Sequence, residues 1–296
     1  RVPTHYNFFR YLRLSTPLIT QFLFGALLSG SFVFYFFSGT LLVSWPFIAL
    51  LVILMISNEV FRKYYLRASV QIGVYFFIVF SVITIALPFL LHTLQPWVFL
   101  LGGGMSLLLI TFYISLLGKI SVEIKKKQWF LATGILIIFS SLNVLYFLNI
   151  IPPIPLSIRD AVVAHSIEKG VGTYILQVEE QSIWKRIVGD EIVHLDLTGR
   201  VYVYTAIFAP SDLHTKIVHH WQYFDETKNA WVTRDRITFP ITGGRKEGYR
   251  GFSFRTNSTP GRWRVDVETE RGQVLGRKKF EVLRTSADAP LKTIIK

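Results

Sequence analysis

The sequence contains no cysteine, and its first half contains almost no acidic residues. Without a thiol the chain forms no disulfide, and it supplies neither a thiolate nucleophile nor the cysteine ligands of a zinc or iron–sulfur site. Only 17% of the 296 residues are charged, against about 25% in ordinary soluble proteins. Glu59 and Glu123 are the only acidic residues before residue 151. So little charge is typical of a chain that lies largely in lipid.

Catalytic sequence motifs are also missing. The chain has no Gly-x-Ser-x-Gly nucleophile elbow, no Walker loop and no zinc-protease helix. We therefore expect no catalytic residues, no cofactor and no metal.

Five long apolar runs fill the first 150 residues. They cover residues 15–37, 40–57, 69–91, 97–117 and 129–150. At about 1.5 Å of rise per residue, helices of this length cross a hydrocarbon core of about 30 Å. Residues 1–150 are therefore predicted to form a membrane α-helical bundle of five transmembrane helices, in contact with membrane lipid.

Basic residues mark alternate turns between these runs. All ten Lys and Arg residues before residue 151 lie in the N-terminal segment, the 58–68 loop or the 118–128 loop. Because basic loops stay in the cytoplasm, the N-terminus is predicted to be cytoplasmic and the C-terminal domain periplasmic. The net charge of +13 then arises mostly from loop charges, and nucleic acid is not an expected partner.

The interior of the five runs predicts an anchor rather than a transporter. No ionisable residue lies inside them, whereas pumps and transporters need such groups in the membrane. Gln21 is expected to bond between helices, and pairs such as Gly25 and Ser29 allow close helix packing, within this chain, in a homo-oligomer or against a partner helix. Gly102–Gly104 has two interpretations: internal packing, or a broken helix that lines a site.

Prolines separate the apolar half from the rest of the chain. Pro152, Pro153 and Pro155 cannot continue a helix and favour extended backbone. Residues 151–170 are therefore predicted to be a proline-rich stalk and linker, with a short helix or an amphipathic link over 158–169.

Short alternating segments follow, separated by turns rich in glycine, asparagine and proline. At least seven strand-like segments at this spacing predict an all-β immunoglobulin-like antiparallel sandwich over residues 171–284. Its core is expected to contain Trp221, Trp231, Trp263, Phe252 and Phe254. Residues 285–296 are predicted to be a disordered tail.

Three histidines suggest a metal site at first sight. In a strand, however, His219 and His220 point to opposite faces, and no carboxylate recurs at ligand spacing nearby. With His214 they are better explained as surface or interface histidines. Among them, His219 is kept as a candidate binding residue.

The stretch 243–254 is glycine-rich and basic. One interpretation is a flexible loop in which Arg245, Tyr249 and Arg250 bind a carboxylate, a phosphate or a glycan. The other is a wide hairpin in which the glycines permit bulges and the arginines are solvated.

Several motifs of the C-terminal half resemble a known family. They are FAPSDL at 208–213, IVHHW at 217–221, GGRKEGYRGFSF at 243–254, PGRWRVDVET at 260–269 and LGRKKFEV at 275–282. Together they resemble domain-of-unknown-function family 2914, and the upstream IPPIPLSIRD at 151–160 resembles the stalk that precedes this domain in bacterial multi-span members. The resemblance implies a β domain located in a bacterial envelope, and it brings no catalytic residues.

These observations support two functional hypotheses. The first is a non-enzymatic inner-membrane protein whose β-sandwich docks a partner protein, a glycan or lipid headgroups. The second is a membrane enzyme or transporter that acts on a lipid-linked substrate at the outer membrane surface, using Asp160, His165, Asp190 or His194.

Overall fold

The computed structural model of the chain describes residues 4–39, 41–60, 67–180, 191–195, 199–244, 248–256, 258–285 and 289–296. The chain divides at Pro155 and Leu156 into two compact units, one helical and one built of strands.

Six helices lie in the described part of the first unit. They are α1 Thr4–Ser38, α2 Leu41–Val60, α3 Ala68–Leu91, α4 Pro96–Ile120, α5 Val122–Lys126 and α6 Gln128–Phe147. Five of them, all except the short α5, are long and apolar enough to cross a membrane. The prediction of five apolar spans is confirmed, with shifts of a few residues at their ends.

Helix α4 is continuous, and the broken-helix interpretation of Gly102–Gly104 is wrong for this reason. A Cβ at Gly103 would lie 2.9 Å from the ring of Phe139, and one at Gly102 would lie 3.2 Å from the side chains of Thr84 and Leu87. These two glycines therefore allow α4 to approach α6 and α3 closely, as small residues do between membrane helices.

A pair of polar side chains joins α1 to α2. The Gln21 amide donates to the carbonyl of Asn58 at 2.9 Å, and the Asn58 amide donates to the carbonyl of Gln21 at 3.2 Å. The expected interhelical role of Gln21 is confirmed.

The second unit contains eleven strands in the described residues. They are β1 Ser157–Ala164, β2 Ser166–Lys169, β3 Tyr174–Glu179, β4 Glu191–Leu195, β5 Arg200–Phe208, β6 His214–Asp225, β7 Ala230–Thr242, β8 Tyr249–Thr256, β9 Gly261–Thr269, β10 Val274–Arg284 and β11 Leu291–Ile295. They form sheets in the order β1-β5-β8, β4-β10-β9-β6-β7 and β11-β3-β2. Every pairing is antiparallel except that of β4 with β10. The predicted fold class, apolar helices followed by antiparallel β structure, is confirmed.

The three-stranded sheet β1-β5-β8 has apolar side chains on both faces because it lies between the other two sheets. On one face Val163, Val201 and Val203 join Trp221 and Trp263 of the five-stranded sheet in one core. On the other face the alternate residues, such as Val162, Tyr204 and Ala206, pack with β3 in a second core. Successive residues of a strand point to opposite faces, and here both faces are buried.

Two predicted segments differ from the structure. Residues 157–169 form β1 and β2 rather than a linker or a short helix, because Ala161, Val162 and Val163 pair with β5. The predicted disordered tail contains β11, in which Leu291–Ile295 pairs with β3 from Glu179 to Ile175. Its β-branched residues Thr293, Ile294 and Ile295 suit a strand.

The predicted aromatic core is correct in part. Trp221 and Trp263 are fully buried, and Phe252 packs against the second core. Trp231 is only half-buried and Phe254 is exposed. Trp231 lies on the outer face of the five-stranded sheet, beside Phe224.

Candidate functional site

The glycines of the 243–254 stretch are explained by the backbone around them. Gly244 and Gly248 have positive φ angles of 95° and 88°, a region that only glycine adopts readily. A Cβ at Gly243 would collide with the carbonyl oxygen of Pro210, and one at Gly251 would lie 2.5 Å from the Phe239 ring. The hairpin interpretation is nevertheless wrong, because β7 pairs with β6 in the five-stranded sheet whereas β8 pairs with β5 in the sheet β1-β5-β8. The stretch connects two sheets, and its glycines allow the close backbone contacts of that connection. Arg245 lies outside the described residues.

Arg250 is bonded within the β domain. Its Nη1 donates to the carbonyl oxygens of Gly172 at 2.9 Å and of Lys296 at 3.0 Å. This guanidinium therefore joins β8 to the turn before β3 and to the residue after β11, a structural role that its basic neighbourhood did not indicate. Tyr249 begins β8, where it pairs with Ile207, and it is half-buried.

His219 does not lie on a surface, contrary to the expectation for it. Its side chain has 0% exposure. Nε2 lies 2.9 Å from Thr205 Oγ1, and Nδ1 lies 2.8 Å from Ser253 Oγ, which also accepts a hydrogen bond from the Trp221 indole. Burial lowers the pKa of His219 to about 3, so the imidazole is neutral and bridges the two sheets inside the core.

His165 and His194, two residues of the second hypothesis, meet at Glu179. His165 Nε2 lies 2.7 Å from Glu179 Oε1, and His194 Nδ1 lies 2.8 Å from Glu179 Oε2. The backbone N–H of His194 also donates to Oε1, at 2.5 Å. We call these three residues the His–Glu–His cluster. Asp160 instead pairs with Lys296 at 2.7 Å, and Asp190 lies outside the described residues.

The charge state of Glu179 determines which nitrogen atoms of His165 and His194 carry a proton. Burial raises the pKa of Glu179, but hydrogen bonds from His165 and His194 outweigh it and hold the pKa below its usual value. An ionised carboxylate only accepts hydrogen bonds, so His165 carries a proton on Nε2 and His194 on Nδ1. In the described part of the chain, no group of three His, Asp or Glu side chains is arranged to hold a metal ion.

The outer face of the five-stranded sheet presents stacked arginine and aromatic side chains. The guanidinium carbon of Arg262 lies 3.9 Å from the centre of the Phe224 ring, and that of Arg264 lies 4.5 Å from the centre of the Trp231 ring. The two rings meet edge to face at 5.2 Å. We call Phe224, Trp231, Arg262 and Arg264 the arginine–aromatic surface.

Polar partners hold these arginines in place. Arg262 Nη2 donates to Glu226 Oε1 at 2.9 Å, and the Arg264 Nη2 and Nε donate to Gln222 Oε1 at 2.6 and 2.8 Å. Farther along the same face, Arg277 forms a two-point ion pair with Asp266, at 2.5 and 2.7 Å. The orientations of these guanidinium groups are therefore already set in the unbound protein.

Neither the arginine–aromatic surface nor Glu179 is among the site residues that the sequence predicts. A signal for the surface existed in residues 262–269, where Arg262, Arg264, Asp266 and Glu268 alternate with Trp263, Val265 and Val267. This period of two places all four charged side chains on one face of β9. No comparable signal marks Glu179, because His165 and His194 lie 14 and 15 residues from it, outside its own strand, and meet it only in the folded domain.

The fold and these sites define a class: a multi-pass membrane protein with a C-terminal β domain. Residues 214–282 of that domain match the family described as Protein of unknown function (DUF2914), which confirms the resemblance. The comparison with curated proteins found no match.

Solved structures give remote matches. An immunoglobulin-like protein from Pseudomonas aeruginosa aligns with 43% of this chain and 96% of its own, at 12% identity and a TM-score of 0.25. An alkylpurine DNA glycosylase from Pseudomonas fluorescens, bound to DNA, aligns with 58% of this chain and 42% of its own, at 16% identity and a TM-score of 0.26. For a β-glucosidase from Listeria innocua the shares are 42% and 16%, at 13% identity and a TM-score of 0.23.

Proposed function

We propose that this chain is a non-enzymatic protein of a bacterial inner membrane whose β domain faces the periplasm and docks a partner protein. Its helical unit is the anchor. The alternation of basic and uncharged turns supports this orientation. The orientation is tested by fusing alkaline phosphatase to the C-terminus, where activity is expected. An inactive fusion would place the β domain in the cytoplasm.

The arginine–aromatic surface is the observation that carries the docking proposal. Trp, Tyr and Arg dominate the residues that contribute most to binding at protein interfaces. Since Arg262 and Arg264 are already stacked and hydrogen-bonded, they lose less conformational freedom on binding than free arginines do. Arg262 and Glu226 remain accessible, with 45% and 70% of their side chains exposed. The surface therefore suits a partner that presents both acidic and apolar side chains.

A photo-crosslinking residue in place of Glu226 tests this proposal in the full chain in its native membrane. We expect one protein adduct at this position, and we expect its loss when Arg262→Ala or Trp231→Ala is added. Glu168 is the matched control, because it is an exposed glutamate on β2 in a different sheet. The same adduct at both positions would contradict docking at this surface. If only a lipid or a glycan is crosslinked, that molecule and not a protein is the ligand of this surface.

The His–Glu–His cluster favours a second candidate function, a membrane enzyme or transporter acting on a lipid-linked substrate. Its most accessible member is His194, with 37% of the side chain exposed, and an imidazole bonded to a carboxylate is a common general base. The discriminating variant is His194→Gln. It should abolish function in a complementation assay if the cluster is catalytic, and it should preserve function if docking is the role.

A further inference from the structure

The turn between the fourth and fifth spans has a defined structure. Helix α5 begins after Ser121, whose side chain accepts a hydrogen bond from the Ile124 N–H at 3.5 Å. The N–H of Lys127 donates to the carbonyls of Glu123 and Ile124 at 3.2 and 3.1 Å. Ile124 packs against the core of the helical unit. The side chains of this turn are thus presented from an ordered backbone.

This turn carries a concentrated positive charge. Lys119, Lys125, Lys126 and Lys127 lie within nine residues of one another, with Glu123 as the only acid among them. Glu123 pairs with Lys127 at 2.7 Å. Within the described ranges, no carboxylate lies at ion-pair distance from the other three lysines. We call Lys119, Lys125, Lys126 and Lys127 the lysine turn.

Large apolar side chains are exposed on both sides of the three consecutive lysines, Lys125–Lys127. Ile120 and Val122 precede the three consecutive lysines, and Trp129 and Phe130 follow them. Trp129 is 87% exposed and Ile120 is 78% exposed. Trp is enriched where hydrocarbon meets headgroups, and lysine extends its ammonium group to that same level.

We infer that the lysine turn is a binding site for the headgroup of an anionic phospholipid, in the leaflet that this turn faces. The ammonium groups of Lys119, Lys125 and Lys126 neutralise the lipid phosphate, while the exposed apolar side chains contact its acyl chains. Clusters of at least four basic residues beside a membrane helix attract anionic lipids, with about 1 kcal/mol for each Lys or Arg. This inference is independent of the docking proposal, because it concerns only the helical unit.

The test uses the full chain in nanodiscs of phosphatidylcholine with a minor fraction of phosphatidylglycerol. The lipids that stay bound after transfer to a mild detergent are counted by native mass spectrometry. We expect the chain to retain phosphatidylglycerol in preference to phosphatidylcholine. Lys125→Gln with Lys126→Gln should reduce the affinity for phosphatidylglycerol at least about tenfold, since two lysines are removed. Lys125→Arg with Lys126→Arg should keep the preference.

The matched control removes two lysines from the β domain. Lys216 and Lys228 are exposed and pair with Glu270 at 2.9 Å and with Asp225 at 3.9 Å. Lys216→Gln with Lys228→Gln changes the net charge by the same amount, and it should leave lipid retention unchanged. Equal retention of both lipids by the unmodified chain, or equal losses in the two glutamine variants, would overturn the inference. Displacement of phosphatidylglycerol by inorganic phosphate would also overturn it, because the site would then recognise a free anion.

Discussion

His219 and Ser253 bridge two sheets inside the β domain, with 2.8 Å between Nδ1 and Oγ. A serine and a histidine at this distance have the geometry of a catalytic pair. Here, however, His219 is fully buried and Ser253 is 3% exposed, so no substrate reaches them. Instead, the two side chains hydrogen-bond to each other between β6 and β8, so that each polar group has a partner at the centre of the sandwich.

This arrangement predicts a loss of stability in acid. The pKa of His219 is about 3 in the folded chain and about 6.5 when the chain is unfolded. Between these values the unfolded state binds a proton that the folded state does not. The free energy of unfolding should therefore fall as the pH falls from 6.5 to 3, by up to about 1.4 kcal/mol per pH unit.

Urea unfolding of the 156–296 fragment at a series of pH values measures this effect. The comparison is with His219→Gln, which keeps hydrogen-bonding groups but does not titrate. The variant should be less stable at neutral pH and lose less stability between pH 6.5 and 3. Equal pH dependence in both proteins would show that other groups determine the acid response.

The three tryptophans of the β domain should separate into two classes. Trp221 and Trp263 are fully buried, so each change to alanine should cost about 3–5 kcal/mol of unfolding free energy. Trp231 is half-buried and stacks with Arg264, and its loss should cost only about 1–2 kcal/mol. Thermal melts of the three variants measure the difference. A large loss for Trp231→Ala would place it in the core instead of on a docking surface.

The sequence predicted the spans well because membrane helices need only length and apolar composition. Periodicity was equally reliable for Trp221 and Trp263, which alternate with polar residues in β6 and β9. Periodicity could not distinguish Trp231 from them, since strand alternation identifies two faces without showing that one of them is exposed to solvent.

The order of the strands in the sheets was not predictable either, because β11 pairs with β3 across more than a hundred residues. Local patterns do not encode such a partner.

The glycine-rich stretch shows the same limit. Its composition allowed both a binding loop and a hairpin, and only the position of Phe239 over Gly251 explains that glycine. The sequence around His219 predicts a surface or interface position because no ligand or partner is visible nearby, whereas Thr205 and Ser253, 14 and 34 residues away, make its burial favourable.

Gly251 should therefore not tolerate a methyl group. Its Cβ would lie 2.5 Å from the Phe239 ring, and overpacking of this kind typically costs about 1–3 kcal/mol. Gly251→Ala should lower the melting temperature of the β domain. Phe239→Leu in the same chain should restore part of the loss, because the smaller side chain leaves room for the methyl group. If the two changes are simply additive, the contact between Gly251 and Phe239 does not determine the effect.

Glu179 should contribute stability that depends on its charge. It is held by His165, by His194 and by a backbone N–H, and hydrogen bonds to a charged group contribute about 1.5–3 kcal/mol each. Its pKa lies below the usual value in the folded state. The unfolded state therefore takes up a proton first as the pH falls. The contribution of Glu179 to stability is complete above the usual glutamate pKa of about 4.3, and it is lost as the pH falls through the pKa of the folded state.

Glu179→Gln should lower the unfolding free energy at pH 7, and the unfolding free energies of the two proteins should converge in strong acid. Glu168→Gln, an exposed change on the neighbouring β2, is the control and should have little effect at either pH. If Glu179→Gln is equally destabilising at pH 7 and in strong acid, the shape of the side chain and not its charge holds the cluster together.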